Sequence, residues 1–227
     1  MAIAFDAGSQ PTASTNDPLT WTHTPVGTPR GVFVAVWSVA DSTDTVNGVT
    51  YGGVAMSEVT GSRQLVNEAG SNDDCSMHLF FLGASIPTGP QTVSVDMTGT
   101  SFTHHARCAT VTAAGDTEIE DSDGAAADDP SVTLTTAVTT FLFGAGFTPE
   151  NSTSNIIQSS FTLDQNNSPG PNTGETAYKA GVAAGSPAAS ITTQAGGIGL
   201  LIVAAIKEAA AAGNAARSMH YALEGMR

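Results

Sequence analysis

Basic residues are scarce in this chain of 227 residues, which has seven Lys and Arg against 21 Asp and Glu and a formal net charge of −14. A nucleic-acid-binding protein needs clustered basic side chains to neutralise phosphates, and a protein that docks on an anionic membrane needs a basic surface. The composition excludes both classes of partner. Because 41% of the residues are hydrophobic, it also excludes a disordered acidic chain.

Long apolar runs are also lacking. The best candidate, residues 198–206, is about half as long as the roughly 18 residues of a membrane-spanning helix. Residues 1–14 (MAIAFDAGSQPTAS) show neither the basic nor the apolar region of a secretory signal peptide. Yet the chain has only two Lys, and Ser, Thr, Gly and Asn fill the segments between apolar runs, as in extracellular β proteins. A virion protein that is made in a host cytosol and released by lysis fits both observations, as does a substrate of a secretion system that uses no signal peptide.

Only two cysteines are present, Cys75 and Cys108, so a disulfide framework is excluded. Each lies in a strand-like run, and one bridge would form if those strands paired. Two buried free thiols are the favoured interpretation for a cytosolic product.

Alternating apolar and polar residues dominate the chain up to residue 207, with Gly and Pro turns between the runs. The run GVFVAVWSVA (residues 31–40) is almost continuously apolar, which predicts a buried central strand. Gly52-Gly53 predicts a tight hairpin turn. The pattern predicts an all-β fold, with an antiparallel β-sandwich or jelly-roll-like domain over residues 1–207.

An Ala-rich segment, residues 208–227, follows as a predicted helical or extended arm. Residues 207–227 carry three basic and two acidic side chains, a net charge of +1, whereas residues 1–206 carry about −15. Docking of the arm on a partner and packing or fraying of the arm on its own domain remain equal alternatives. The candidate partner-binding residues are Arg217, Met219, Tyr221, Leu223 and Arg227 in the arm, with Ile3 and Phe5 near the N-terminus.

The acidic stretch DTEIEDSDGAAADD (residues 116–129) offers oxygen ligands of the kind that Ca²⁺ prefers, but its spacing does not match an EF-hand loop. A solvated loop is the favoured interpretation. The weak calcium candidates are Asp116, Glu118, Glu120, Asp121 and Asp123.

Catalytic and cofactor motifs give no positive signal. The chain has no G-x-S-x-G sequence and no phosphate-binding glycine loop. Adjacent strand residues face opposite ways, so His104 and His105 are not expected to bind one metal ion. We therefore predict a protein that is not an enzyme and holds no cofactor.

A series of short motifs, in order over residues 1 to about 207, resembles a β-sandwich domain of tailed-phage virion proteins and some bacterial surface proteins. The motifs are IAFDA (residues 3–7), LTWTHT (19–24), VFVAVW (32–37), VTYGGVAM (49–56), LFFL (79–82), TVSV (92–95) and AAGDT (113–117). The resemblance implies a structural or adhesive role in a virion and assigns no functional residue.

The leading hypothesis is therefore a capsid decoration or cement protein, with a tail-associated location as the second possibility. Its expected partner is the major capsid protein, and a homotrimer is the favoured assembly. The alternative is a carbohydrate-binding adhesion module, which predicts exposed aromatic rings at Tyr51, Tyr178 or Phe147.

Overall fold

The computed structural model describes residues 2–39, 46–66, 75–98, 103–148, 161–167, 173–193 and 198–210. Within these ranges all regular secondary structure consists of β-strands, and all strand pairs are antiparallel. The predicted all-β class, with packed antiparallel sheets, is confirmed. The arm residues 211–227 lie outside the described ranges, and the predicted boundary at residue 207 falls at the end of the last strand.

Ten strands lie among the described residues of 4–112, and we call this range the N-terminal half. They are β1 (Ala4–Ser9), β2 (Leu19–His23), β3 (Gly31–Val39), β4 (Val46–Tyr51), β5 (Val54–Ala55), β6 (Ser57–Glu58), β7 (Gln64–Val66), β8 (Cys75–Leu82), β9 (Gln91–Met97) and β10 (Thr103–Thr112). They form an inner sheet of order β1-β10-β3-β8-β6, with β7 also paired to β8, and an outer sheet of order β2-β9-β4-β5.

Seven strands among the described residues of 117–208 form the C-terminal half. They are β11 (Thr117–Ala127), β12 (Ser131–Thr133), β13 (Thr140–Thr148), β14 (Thr162–Asn167), β15 (Thr173–Val182), β16 (Ala188–Ser190) and β17 (Gly199–Glu208). The inner sheet of this half has the order β11-β17-β13-β15-β14, and its outer sheet pairs β12 with β16.

The four sheets stack as layers, with the two inner sheets face to face in the middle. Phe33, Ala35 and Trp37 on β3 point into the central core between the inner sheets, whereas Val32 and Val34 point into the core beneath the outer sheet. Residues of β13 and β17 likewise alternate between the central core and the core of the C-terminal outer sheet. Both faces of the inner strands are buried, which explains their nearly continuous apolar sequence.

The two halves share one strand order. When the strands of each half are counted in chain order, the first strand pairs with the last strand of that half, and the last strand pairs with the third. The third strand pairs in turn with the strand that precedes an outer-sheet strand. The resulting orders are β1-β10-β3-β8 and β11-β17-β13-β15. Each first strand also carries one register shift, past Asp6 in β1 and past Glu120 in β11. The chain therefore contains one β arrangement twice, a repeat that the sequence pattern did not predict.

Equivalent residues of the two halves meet at the centre. The two register shifts are β-bulges. Phe33 and Phe143 occupy matching positions when residues are counted along the paired strands from these bulges. Their rings stack with centroids 4.5 Å apart and planes 8° apart. A contact between equivalent residues is expected where two similar units pack about an approximate two-fold axis.

The predicted hairpin is confirmed. Tyr51 pairs with Val54 across a turn in which Gly52 and Gly53 have φ angles of 57° and 80°. Two consecutive positive φ angles are the signature of a type I′ turn, which favours glycine at both positions.

The interpretation of residues 116–129 as a solvated loop is wrong, because most of them form strand β11. This strand pairs along its length with β17, whose residues from Gly199 to Ile206 are buried. The apolar neighbour holds the strand, while the acidic side chains remain at the exposed edge of the inner sheet. Pairing between distant segments thus outweighs the poor strand propensity of Asp and Gly.

Candidate functional site

A chain of polar side chains crosses the N-terminal half between its two sheets. Thr110 donates to Asp6 (2.9 Å) and lies 3.2 Å from Nε2 of His23, whose Nδ1 lies 2.7 Å from the hydroxyl of Ser9. Trp21 donates its indole N–H to the same hydroxyl at 3.1 Å. Because Thr110 donates to Asp6, it accepts from His23 Nε2–H, and His23 Nδ1 then accepts from Ser9.

This series of hydrogen-bonded serine, histidine, threonine and aspartate side chains resembles a catalytic arrangement that activates a serine nucleophile. The environment of the histidine, however, opposes that chemistry. Burial, assisted by the positive charge of Arg107, lowers the pKa of His23 to about 4. A general base must accept a proton during nucleophilic attack, and this site disfavours the imidazolium that would result. The chain therefore serves to satisfy buried polar groups and to hold Ser9 and Trp21 in place.

The halves are also joined by a buried ion pair. Arg107 on β10 donates from Nε and Nη2 to the two carboxylate oxygens of Asp164 on β14, at 2.9 and 2.6 Å. The side chains are 7% and 3% exposed, and Thr176 donates to the same carboxylate at 3.0 Å. A Cβ at Gly8 would overlap the guanidinium and the Asp164 carboxylate, so a larger residue there would have to displace the ion pair. The pair links the two halves, and removal of one partner would leave the other as an uncompensated buried charge.

His104 and His105 point to opposite faces of β10, as predicted. His104 Nδ1 lies 2.7 Å from the hydroxyl of Ser38, whereas His105 stacks on Trp37 with ring centroids 6.1 Å apart. Burial lowers the pKa of His105 to about 4. Both histidines belong to the packed interior of the N-terminal half.

The five calcium candidates do not converge. Asp116 pairs with Arg30 at 3.4 Å and Glu118 with Lys207 at 3.6 Å. The remaining three bind backbone N–H groups: Glu120 that of Ala137, Asp121 those of Ser122 and Thr135, and Asp123 that of Gly124. An extended strand advances roughly 3.3 Å per residue, which separates the carboxylates. Within the described ranges no group of three His, Cys, Asp or Glu could hold a metal ion.

Neither Cys75 nor Cys108 forms a disulfide, in agreement with the favoured prediction. Cys75 lies in the central core and Cys108 in the core of the N-terminal outer sheet. Their strands are separated by β3, and burial raises the pKa of the Cys108 thiol far above its usual range. A buried, protonated thiol of this kind is unreactive.

The predicted exposed aromatic rings are buried. Tyr51 and Phe147 have no exposed surface, because the alternation of their strands turns them into the outer and the central core. Tyr178 is partly buried and stacks between Phe5 and Phe141, with centroid distances of 4.4 and 5.7 Å. The prediction of an exposed aromatic ring is therefore wrong for Tyr51 and Phe147, and the ring of Tyr178 is packed between two other rings.

The N-terminal anchor candidates are also committed to the fold. Ile3 is 8% exposed in the central core, and Phe5 stacks on Tyr178. Both side chains therefore contribute to the packing of the fold, and Ile3 also lines a surface cavity. The five candidates in the arm, Arg217, Met219, Tyr221, Leu223 and Arg227, lie outside the described residues.

Among the described residues, two surface cavities are candidate sites. The first, which we call the pole pocket, has a volume of about 440 Å³ and is lined by Ala2, Ile3, Glu118, residues 138–140, Gly181, Lys207, Glu208 and Ala210. The second, the edge groove, has a volume of about 370 Å³ and is lined by residues 11–14, Asn16 and residues 18–21. The groove follows β2, which is an edge strand of the N-terminal outer sheet.

Sequence reasoning missed the edge groove because the alternation in LTWTHT indicates that Trp21 faces a core. Trp21 does pack against that core, but it remains partly exposed and lines the groove. The position of LTWTH next to a segment rich in Pro, Ser, Thr and Asn was the available signal.

Comparisons of the chain with protein families, with curated proteins and with solved structures found no match. Within the described residues, no helix is long and apolar enough to cross a membrane.

Proposed function

We propose that this chain is a structural protein of a tailed-phage virion, which decorates the outer capsid surface and stabilises the shell. The resemblance of its strand motifs to a virion β-sandwich domain supports this role. The four packed sheets also support this role, because they bury both faces of the inner-sheet strands and so form a stable β-sandwich body. An acidic exterior would keep assembled particles from aggregating.

The observation that carries the proposal is the composition of the pole pocket. Residues from the start of the described chain, Ala2 and Ile3, line it together with Glu208 and Ala210 from the end. Val138, which is 45% exposed, adds an apolar side chain to the rim. Glu208 and Ala210 belong to the described part of the arm, residues 208–210, so the pole pocket combines residues of the arm with residues of the β-sandwich. The pole pocket is therefore our candidate site of contact with the major capsid protein.

Mass spectrometry of purified virions tests the proposal. We expect the protein in the particle at a copy number that matches the capsid lattice, which would place it on the head and not on the tail. Absence from particles, or a copy number of the order found for tail components, would contradict a decorating role.

A matched pair of variants tests the attachment site. Val138→Asp places a charge at the pole pocket, and we expect it to reduce the copy number per particle severalfold. Val26→Asp is the control, because Val26 is 87% exposed and lies in the corresponding β2–β3 loop of the other half, away from the pocket. Equal incorporation of both variants would show that the pole does not attach.

A further inference from the structure

We infer that the edge groove binds a neutral glycan, with the indole of Trp21 as its aromatic floor. This inference goes beyond the proposed structural role, since the edge groove and the pole pocket share no lining residue. Its volume of about 370 Å³ lies at the lower end of the range for small-ligand sites, which suits one or two sugar units.

The chemistry of the lining selects the ligand class. The lining side chains are uncharged, and they include the hydroxyls of Thr12, Ser14 and Thr20 and the amide of Asn16. Hydroxyl and amide groups can both donate to and accept from sugar hydroxyls. Since no basic residue lines the groove of a chain with a net charge of −14, an anionic sugar would gain no partner there.

The aromatic ring is held in a fixed orientation. The N–H of Trp21 is bound to Ser9, which is itself bound to the buried His23. An aromatic side chain with its polar atom already satisfied presents its apolar surface to a ligand without losing further freedom on binding.

The opposite wall of the groove is tied down at two points. Ser14 exchanges two backbone hydrogen bonds with His104, at 3.2 and 2.9 Å. Asp17 accepts from the backbone N–H of Met97 at 3.1 Å. These contacts hold the segment that carries the polar side chains, so the groove is formed before a ligand arrives.

The test starts with a glycan array probed with the full chain, and then uses acrylamide quenching of tryptophan fluorescence with the soluble form of each neutral glycan that binds. The chain has two tryptophans, and Trp37 is only 2% exposed, so quenching reports on Trp21. We expect binding of neutral glycans alone, and protection of Trp21 from acrylamide as the glycan is added.

Three variants localise the binding. Trp21→Ala should weaken it about tenfold or more, the equivalent of roughly 1.4 kcal/mol of lost contact. Thr20→Ala should weaken it severalfold, and Thr22→Ala should leave it unchanged, because Thr22 is exposed on the same strand but outside the groove. Circular dichroism and thermal unfolding check that each variant is folded. If Trp21→Ala does not fold, the comparison of Thr20→Ala with Thr22→Ala decides whether the glycan binds in the edge groove.

Three results with glycans would overturn the inference. They are no binding to the array, binding restricted to anionic glycans, and neutral-glycan binding that survives both Trp21→Ala and Thr20→Ala. An extended peptide that binds along β2 in place of a glycan would also overturn it, in favour of strand addition at this edge.

Discussion

The two halves of the chain build similar inner sheets but different outer sheets. The N-terminal outer sheet has four strands and covers a core that contains Tyr51 and the His23 network. The described part of the C-terminal outer sheet consists of two strands of three residues, over a small core around Leu134 and Ile191. The inner sheets must fit each other across the central core, whereas the outer sheets have no such constraint. The edge groove, our candidate glycan site, lies along the N-terminal outer sheet, which is the larger of the two as described.

The largest expected effect concerns the contact at the centre of the comparison. Phe33→Ala and Phe143→Ala should each lower the free energy of unfolding by about 3–5 kcal/mol, because each leaves a cavity in the central core. Because the rings stack on each other, the double variant should lose less than the sum, by about 0.5–1.5 kcal/mol. Urea unfolding of the wild type, the single variants and the double variant measures this coupling.

The control pairs Phe143→Ala with Phe80→Ala, since Phe80 lies in the core of the N-terminal outer sheet. These two losses should add within about 0.5 kcal/mol. If the alanine variants do not fold, leucine at the same positions preserves the design. Full additivity of the Phe33 and Phe143 losses would contradict packing of the halves through equivalent residues.

Much of the fold could be predicted from sequence, because period-two alternation and Gly-Gly turns are local signals. The buried strand β3, the hairpin at Gly52 and the opposite faces of His104 and His105 all follow from it. Alternation does not reveal which segments pair, so the acidic strand β11 and the repeated strand order were missed.

The burial of Tyr51 and the partial exposure of Trp21 were missed for a related reason. Both residues lie on strands of the N-terminal outer sheet, and both point toward its core. Tyr51 lies on β4, which has a neighbouring strand on each side, whereas Trp21 lies on the edge strand β2, along which the edge groove runs. The order of strands in the sheet decides exposure here, and no local pattern carries that order.

The next largest effect is acid sensitivity of the N-terminal half, which contains all the histidines of residues 1–210. The pKa values of His23 and His105 are about 4 in the folded chain, against an ordinary value near 6.5. Between about pH 6.5 and pH 4 the unfolded chain therefore binds protons that the folded chain does not. Stability is full above about pH 6.5, and on the order of a few kcal/mol should be lost as the pH falls to 4.

Urea unfolding between pH 7.5 and pH 4.5 measures this loss, and His105→Phe separates the two histidines. The phenyl ring keeps the stacking on Trp37, and the buried Nδ1 that it removes has no hydrogen-bond partner among the described residues. We expect stability at pH 7.5 within about 1 kcal/mol of wild type and a clearly shallower pH dependence. An unchanged slope would show that His105 does not contribute to acid sensitivity.

The smallest effect compares the acidic residues at the two bulges. Asp6 accepts from the backbone N–H groups of Val26 and Gly27, at 3.2 and 2.7 Å, and from Thr110, whereas Glu120 accepts from the N–H of Ala137 at 2.8 Å. In both halves the carboxylate thus holds the loop between the second and third strands. Asp6→Asn turns one of two occupied acceptors into a donor and should cost about 2 kcal/mol.

Glu120→Gln retains an acceptor oxygen for its single N–H partner, so its cost should stay below about 1 kcal/mol. Asp116→Asn, which removes only a partly exposed ion pair with Arg30, should cost a similar small amount and serves as the control. Urea unfolding at pH 7.5 ranks the three variants. Equal losses at Asp6 and Glu120 would mean that the two bulge carboxylates hold their loops to the same extent. A larger loss at Glu120 would reverse the asymmetry that we derive from the number of donors each carboxylate accepts.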